Sequence, residues 1–278
     1  MFKAVRPIVY TALVFGLALA AFAEYRAMSM DAALMLLPTQ TTSKSALFRD
    51  QIGRQFRISG RESATFTPSV ETKALAHKHF TLHGALPRAW YDYIPNTQGP
   101  MPLVILLHGA GRDGLSQIEM WRETADLHGV ALVAPNSFGQ SWDLADPEPA
   151  FFAQIVETIA GFHNIDRNRI FLFGHSDGAA YAQLLLMVTQ GPWRAAALHA
   201  GYAPSVTSMA GLVKPYRLYI GENEQIFSVS QARAIGQKRA AQGQPNDLIL
   251  IPRHDHWFYS IGSQIAEDVW GWFASLPH

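Results

Sequence analysis

Short apolar runs alternate with longer segments of helical periodicity from about residue 77 to the C-terminus. A solid apolar run such as residues 103–107 is typical of a strand that a parallel sheet buries on both faces. The predicted strands are residues 90–94, 103–107, 131–134, 170–173, 195–198, 216–220 and 248–251. The predicted helices are residues 115–127, 151–162, 179–189, 229–241 and 261–276. This alternation predicts one α/β domain over residues 76–278, with a mainly parallel central sheet and helices on both faces.

The N-terminus has a different pattern. Lys3 and Arg6 precede an uncharged apolar run, residues 8–23, that ends in Ala21-Phe22-Ala23. This run is shorter than the roughly 20 residues that a membrane-spanning helix needs, and its small-x-small end fits cleavage after Ala23. Residues 1–23 are therefore predicted to be a cleaved signal peptide of a secreted or periplasmic protein, with no stable membrane span once cleaved. The alternative is an uncleaved N-terminal segment that anchors the protein in the membrane.

Residues 24–75 lack the regular pattern of the domain that follows. Residues 39–45 and 59–68 are mostly small and polar, and a candidate short helix lies near residues 31–37. Such a composition favours an N-terminal extension or linker.

Composition excludes several classes of function. Hydrophobic residues make up 49% of the 278, and 22 basic residues balance 22 acidic ones. With no net charge and no basic run, the chain lacks the electrostatic footprint of a nucleic-acid-binding protein. It has no cysteine, which excludes disulfides, cysteine metal sites and a lipid-modified N-terminal cysteine. No metal or organic cofactor is expected.

One five-residue turn carries the clearest chemical signal. Gly174-His175-Ser176-Asp177-Gly178 lies between a predicted strand and a predicted helix. A reversal this tight strains the central residue, and the glycines avoid clashes. It raises the serine hydroxyl above the sheet and puts a helix N-terminus, which favours negative charge, beneath it. In this context Ser176 is predicted to be a nucleophile rather than an ordinary turn serine.

A glycine-rich loop, residues 108–114, follows the strand at 103–107. In acyl transfer, backbone N–H groups of such a loop and of the residue after the nucleophile stabilise the developing oxyanion. The predicted donors are the amide of Ala110 or Gly111 and the amide of Asp177. The alternative is a plain turn between strand and helix, and His108 is expected to support the loop rather than act as a base.

A nucleophilic serine needs a base, and the base needs an orienting carboxylate. With a nucleophile turn of this kind the chain order is serine, acid, histidine. After the strand at 216–220 the loop contains Glu222 and Glu224, and after the strand at 248–251 the loop contains His254 and His256. Glu224, deeper in its loop, is preferred over Glu222 as the acid, and His256 over His254 as the base.

The remaining histidines carry weaker signals. His199 follows the predicted strand at 195–198 and is a candidate to lie near the pocket. Four others are expected to be surface or core residues: His77, His79, His83 and His128.

These motifs together resemble a known superfamily. The strand at 103–107 with its loop, the turn at Ser176, Gly221-x-x-Glu224 and Pro252-x-x-x-His256 resemble α/β-hydrolase esterases over residues 85–276. Within that superfamily, the sequence most resembles polyhydroxybutyrate depolymerases and feruloyl esterase-like hydrolases, together with their dienelactone hydrolase-like relatives. Those secreted enzymes usually carry Asp in place of Glu224, and they usually contain cysteines.

The resemblance also implies where substrate binds. It places the loop at residues 135–143, with Trp142 and Asp143, at the border of the substrate pocket. His108, His175 and Trp257, which lie within or beside the motifs, complete the expected pocket.

The leading hypothesis is a serine-dependent carboxylic-ester hydrolase that uses Ser176, His256 and Glu224 and forms an acyl-enzyme. Its substrate would be a small-molecule or polymeric ester. One alternative is a serine peptidase of the same fold, although those enzymes usually add a propeller or cap for which this chain has no room. The other is a non-catalytic hydrolase-like binding protein of the cell envelope, which would need a broken triad.

Overall fold

A computed structural model describes residues 47–58, 66–83, 86–204 and 213–277. The predicted signal peptide at residues 1–23 and the candidate helix at 31–37 lie outside these described residues. Within them, no helix is both long enough and apolar enough to cross a membrane.

The described residues form nine strands and six α-helices. The strands are β1 (Phe48–Ile52), β2 (His77–His83), β3 (Leu86–Tyr93), β4 (Met101–Leu107), β5 (Ala131–Pro135), β6 (Ile165–His175), β7 (Ala196–His199), β8 (Tyr216–Gly221) and β9 (Asn246–Ile251). The helices are α1 (Val70–Leu75), α2 (Gly114–His128), α3 (Pro149–Phe162), α4 (Asp177–Val188), α5 (Val229–Ala241) and α6 (Gly262–Ser275). A single 3₁₀ turn, Phe258–Ser260, precedes α6.

All nine described strands join one sheet in the order β1-β9-β8-β7-β6-β4-β5-β3-β2. The pairs β2–β3 and β3–β5 are antiparallel, and the other neighbouring pairs are parallel. The predicted mainly parallel α/β architecture is therefore confirmed.

Strand β4 shows how the sheet is covered on both faces. Successive side chains of a strand point to opposite faces, and every residue from Leu103 to Leu107 is fully buried. Leu103, Ile105 and Leu107 pack in a core with apolar residues of α3, α4 and α5. Val104 and Leu106 pack in a second core with α2 and α6. The uninterrupted apolar run that predicted a doubly buried strand follows from these two helical layers.

The sheet begins earlier in the chain than the pattern indicated. Strand β1 lies inside residues 24–75, the predicted extension or linker, and pairs in parallel with β9, Phe48 opposite Asn246. Helix α1 also lies there, capped by the Ser69 side chain. Strand β1 is an edge strand in which every residue after Phe48 is exposed, so it lacks an apolar signature. The described residues that form β1 and α1 therefore belong with the domain, and the predicted boundary at residue 76 lies too far toward the C-terminus.

The carboxyl ends of β4, β6, β7, β8 and β9 lie along one edge of the sheet because these strands run parallel. In open α/β sheets this is the edge at which ligands bind. The glycine-rich loop, the turn at Ser176 and the loops with the candidate acid and base follow β4, β6, β8 and β9 in turn. The fold thus gathers these distant segments on one side.

Candidate active site

Ser176 lies between β6 and α4 with φ 55° and ψ −119°. A non-glycine residue held at such angles costs on the order of 1–3 kcal/mol and persists where its surroundings fix it. Here the Ser176 amide donates to the His199 carbonyl at 2.8 Å. A Cβ on Gly178 would lie 2.3 Å from the Leu107 carbonyl oxygen, so glycine is required where α4 begins against β4. The structure therefore contains the strained strand-to-helix turn that the sequence predicted.

Ser176, His256 and Glu224 form one hydrogen-bonded chain. The Ser176 Oγ lies 2.9 Å from His256 Nε2, and His256 Nδ1 lies 3.0 and 2.9 Å from the two Glu224 carboxylate oxygens. Because a carboxylate only accepts, Nδ1 of the neutral ring carries the proton and Nε2 accepts from the serine hydroxyl. This arrangement can remove the hydroxyl proton from Ser176.

The Glu224 side chain is fully buried. Burial raises the pKa of this carboxyl, but hydrogen bonds with His256 and with the amides of Ile226 and Phe227 outweigh it and hold the pKa below its ordinary value. The Phe227 ring also stacks on the His256 imidazole at 6.0 Å. An ionised carboxylate in this position stabilises positive charge on His256.

The structure distinguishes Glu224 from Glu222 as the acid and His256 from His254 as the base. Glu222 is exposed, and its carboxylate accepts the Arg253 amide at 3.0 Å. His254 is buried, and its Nε2 lies 3.0 Å from His199 Nε2. The preferred residues therefore form the chain to Ser176: His256 contacts Ser176, and Glu224 contacts His256.

The three predicted oxyanion donors differ in availability. The Gly111 amide donates to the Gln140 carbonyl at 2.6 Å, so the assignment of Gly111 as a donor is corrected. The Ala110 amide has no partner among the described residues, and Asp177, as the first residue of α4, has no acceptor within its helix for its amide. A Cβ on Gly109 would lie 3.4 Å from the Ser176 Cβ, which places the loop beside the serine.

Two residues predicted to line the pocket support its loops instead. His108 is fully buried, its Nε2 accepts the Ser137 amide at 2.9 Å and its Nδ1 donates to the Gly109 carbonyl. Burial lowers the pKa of His108 and keeps it neutral. Trp142, only 4% exposed, donates its indole N–H to the His108 carbonyl. The prediction that these two side chains line the pocket is therefore corrected, whereas the loop-supporting role expected for His108 fits these bonds.

Asp177 fixes the same loop from the other side. Its carboxylate accepts the Ser141 hydroxyl and, at 2.7 Å, the Trp142 amide. Its side chain thus binds the loop at 135–143, while its amide has no acceptor among the described residues.

The other pocket candidates have varied surroundings. Asp143 is exposed and accepts the Ala145 amide in its own loop. Trp257 is half-buried and packs under the Arg112 guanidinium and against Tyr259. Neither contact involves Ser176, His256 or Glu224.

A buried row of histidines was missed by the sequence analysis. His175 Nδ1 lies 3.0 Å from His199 Nδ1, and His199 Nε2 lies 3.0 Å from His254 Nε2. His175 is only 5% exposed, which corrects its assignment as a pocket-lining residue. The available signal was positional, since each of the three lies at or just after the carboxyl end of a strand.

Comparisons with known proteins agree on the fold. Neither a protein-family model nor a curated protein sequence matches the chain. A fluorophosphonate-binding serine hydrolase of Staphylococcus aureus matches with 13% identity and a TM-score of 0.58, over 72% of this chain and 98% of that one. An S-formylglutathione hydrolase of Agrobacterium tumefaciens matches with 17% identity and a TM-score of 0.56, over 72% and 93%. A dienelactone hydrolase-like protein of Klebsiella pneumoniae matches with 15% identity and a TM-score of 0.55, over 72% and 98%. The chain thus has the α/β-hydrolase fold.

Proposed function

We propose that this protein is a serine hydrolase that cleaves carboxylic esters through an acyl-enzyme. One observation carries the proposal: the hydrogen-bonded chain from the Ser176 hydroxyl through His256 to the buried Glu224. The names of the neighbouring structures, which are hydrolases, support hydrolysis over a binding role.

In the first half-reaction, Ser176 Oγ attacks the ester carbonyl carbon while its proton moves to His256 Nε2. Glu224 remains ionised and stabilises the imidazolium. The amides of Ala110 and Asp177 donate to the oxyanion, and losing one such donor typically costs on the order of 3 kcal/mol. The carbon–oxygen bond to the alcohol then breaks, and His256 returns the proton to the leaving oxygen.

In the second half-reaction, a water molecule attacks the acyl carbon. His256 Nε2 takes a proton from the water, and the bond between the acyl group and Ser176 Oγ breaks. The serine oxygen recovers its proton from His256, and the carboxylic acid leaves. Every proton transfer in the cycle uses the same imidazole nitrogen.

An extracytoplasmic site of action belongs to the same proposal. The basic, apolar and small-x-small order of residues 1–23 supports export. Its substrate would then be a small-molecule or polymeric ester met outside the cytoplasm.

Hydrolysis of p-nitrophenyl acetate by the wild type and by Ser176→Ala tests the proposal. We expect kcat/KM to fall on the order of 10⁴-fold or more in Ser176→Ala. Ser275→Ala, whose hydroxyl donates to a carbonyl within α6, is the matched control and should keep wild-type activity. Equal rates in the Ser176→Ala variant and the wild type would overturn the proposal, and activity confined to aminoacyl amides would indicate a peptidase.

A further inference from the structure

Three buried imidazoles form a row along the sheet edge next to Ser176. His175 ends β6 and His199 ends β7, and the strand register places them directly opposite one another. His254 lies in the loop after β9, on the far side of β8. A Cβ on Gly221, the last residue of β8, would lie 2.3 Å from the His254 carbonyl oxygen, so glycine there allows the loop to cross β8 and reach His199.

The three rings are buried, and none of them hydrogen-bonds a carboxylate among the described residues. His175, His199 and His254 are 5%, 0% and 1% exposed, and the fully buried Phe258 ring packs on both His175 and His199 at 5.1 and 5.3 Å. Burial lowers the pKa of all three rings, that of His254 to about 4. The titratable or charged groups around them are His256, Arg112, Tyr259, Asp255 and Glu224. The three rings are therefore neutral at pH 7.

Neutral rings impose an order on the protons. Three rings carry three N–H protons, and each of the two hydrogen bonds in the row needs one. The third proton must lie at one end, on His175 Nε2 or on His254 Nδ1. His254 Nδ1 is buried with no partner among the described residues, and a buried N–H without an acceptor is rarer than an acceptor without a donor. The third proton therefore lies on His175 Nε2, 3.5 Å from where a Cβ of Gly109 would stand.

The row also joins the two segments that must meet for catalysis. His175 directly precedes Ser176, and His254 lies two residues before His256 in the same loop. The loop that carries His256 is thus held to the turn at Ser176 twice, once by the Ser176–His256 hydrogen bond and once by the row of three histidines. The His175 ring also packs against the His256 ring, with centroids 5.2 Å apart.

We propose that His175, His199 and His254 form a proton-ordered relay that positions His256 against Ser176. The proposal rests on the proposed serine hydrolase function. Within it the three histidines are positioning residues, because they act on the reaction through His256 and its loop.

Replacement of the central ring tests the relay in the full-length chain. His199→Leu removes both hydrogen bonds, so we expect kcat for p-nitrophenyl acetate to fall about 10- to 100-fold while KM changes less than about threefold. Tyr219→Phe is the matched control: Tyr219 lies opposite His199 on β8, is equally buried and loses its hydroxyl's interactions with Asp268 and Arg217. It should keep wild-type kcat.

A second variant separates positioning from stability. His199→Leu leaves unpaired nitrogens on both His175 and His254, whereas His199→Leu with His254→Leu leaves one on His175 alone. Removing both partners of a buried hydrogen bond costs less stability than removing one. We therefore expect the double variant to melt at a higher temperature than His199→Leu and to remain as slow. If kcat instead recovers with the melting temperature, the relay has a structural role alone and the proposal fails.

Long-range ¹H–¹⁵N spectra of the wild-type histidines read the proton order independently of activity. At pH 7 we expect three neutral rings, protonated at Nε2 of His175, Nδ1 of His199 and Nε2 of His254. A charged ring or the reverse order overturns the relay, as does a folded His199→Leu variant with wild-type kcat. Failure of the hydrolase proposal is distinguishable, because it would appear as equal rates in Ser176→Ala and the wild type, whatever the rate of the His199→Leu variant.

Discussion

His256 and the row of three buried histidines both lie beside Ser176, and they differ in what they hydrogen-bond. His256 is partly exposed and pairs with the buried carboxylate of Glu224. The relay of His175, His199 and His254 pairs ring to ring and is almost fully buried. The same side chain therefore lies in two opposite environments within one site.

The surroundings of the ring decide whether a histidine can act as a base. A ring that takes up a proton needs either water or an acidic partner to stabilise the charge. His256 is partly exposed and hydrogen-bonds Glu224, whereas the three rings of the relay are buried and hydrogen-bond no carboxylate among the described residues. We conclude that His256 is suited to exchange protons during turnover, whereas the relay is suited to hold a fixed geometry.

The largest expected effect comes from removing the acidic partner. In Glu224→Gln the amide no longer stabilises the imidazolium and no longer enforces the Nδ1–H tautomer, so kcat for p-nitrophenyl acetate should fall about 10³- to 10⁴-fold. Steady-state kinetics at saturating ester measure the effect.

Glu222→Gln is the matched control in the same loop. Its carboxylate accepts only the Arg253 amide among the bonds described, so activity should stay within about twofold of wild type. A larger loss in Glu222→Gln than in Glu224→Gln would reverse the assignment of the acid.

A smaller effect is expected when pH is lowered, because acid reduces the stability of a protein that buries the neutral rings of the relay. Burial lowers the pKa of its rings in the folded protein, whereas histidines of the unfolded chain titrate near 6.5. The relay's contribution to the free energy of unfolding is therefore complete above about pH 6.5. It is lost as pH falls toward the pKa values of the rings in the folded protein, about 4 for His254. For His254 alone, the free energy of unfolding should drop by about 2 kcal/mol between pH 7 and pH 5.

Denaturant unfolding at pH 7 and pH 5 measures this loss. The variant with both His199→Leu and His254→Leu lacks two of the three titrating rings, so it should lose less stability than the wild type over this interval. An equal loss in both proteins would show that the rings titrate normally and would remove the contrast with His256.

The smallest expected effect on activity comes from opening the relay to water. Phe258→Leu removes the ring that covers His175 and His199, so the pKa of His199 should rise while kcat stays within about threefold. Phe273→Leu is the matched control, since Phe273 is equally buried in the same core but stacks on Phe171. Histidine NMR titrations should show the shift in the first variant and not in the second.

The sequence was informative where local signals were strong. The apolar run of β4 and the turn around Ser176 predicted their structure, because burial on both faces and a tight reversal each restrict residue choice. The order serine, acid, histidine then gave the two loops in which Glu224 and His256 lie. Choosing between neighbours such as Glu222 and Glu224 required geometry, since both share one loop.

Non-local features were not predictable in the same way. Strand β1 has an exposed edge and so no apolar period, and its pairing with β9 joins segments about 200 residues apart. The relay draws on the ends of two strands and on one loop, and only the register of β6 and β7 brings His175 opposite His199. Gly111 was a reasonable oxyanion donor until the Gln140 carbonyl was found to occupy its amide.

Reaction with a fluorophosphonate probe, followed by peptide mapping, reports whether Ser176 is an activated nucleophile. The probe forms a covalent bond with a serine only where a base activates it. We predict one adduct per chain, on Ser176, which is absent in Ser176→Ala and forms much more slowly in His256→Ala. An unlabelled wild-type protein, or an adduct on another serine, would exclude Ser176 as the activated nucleophile.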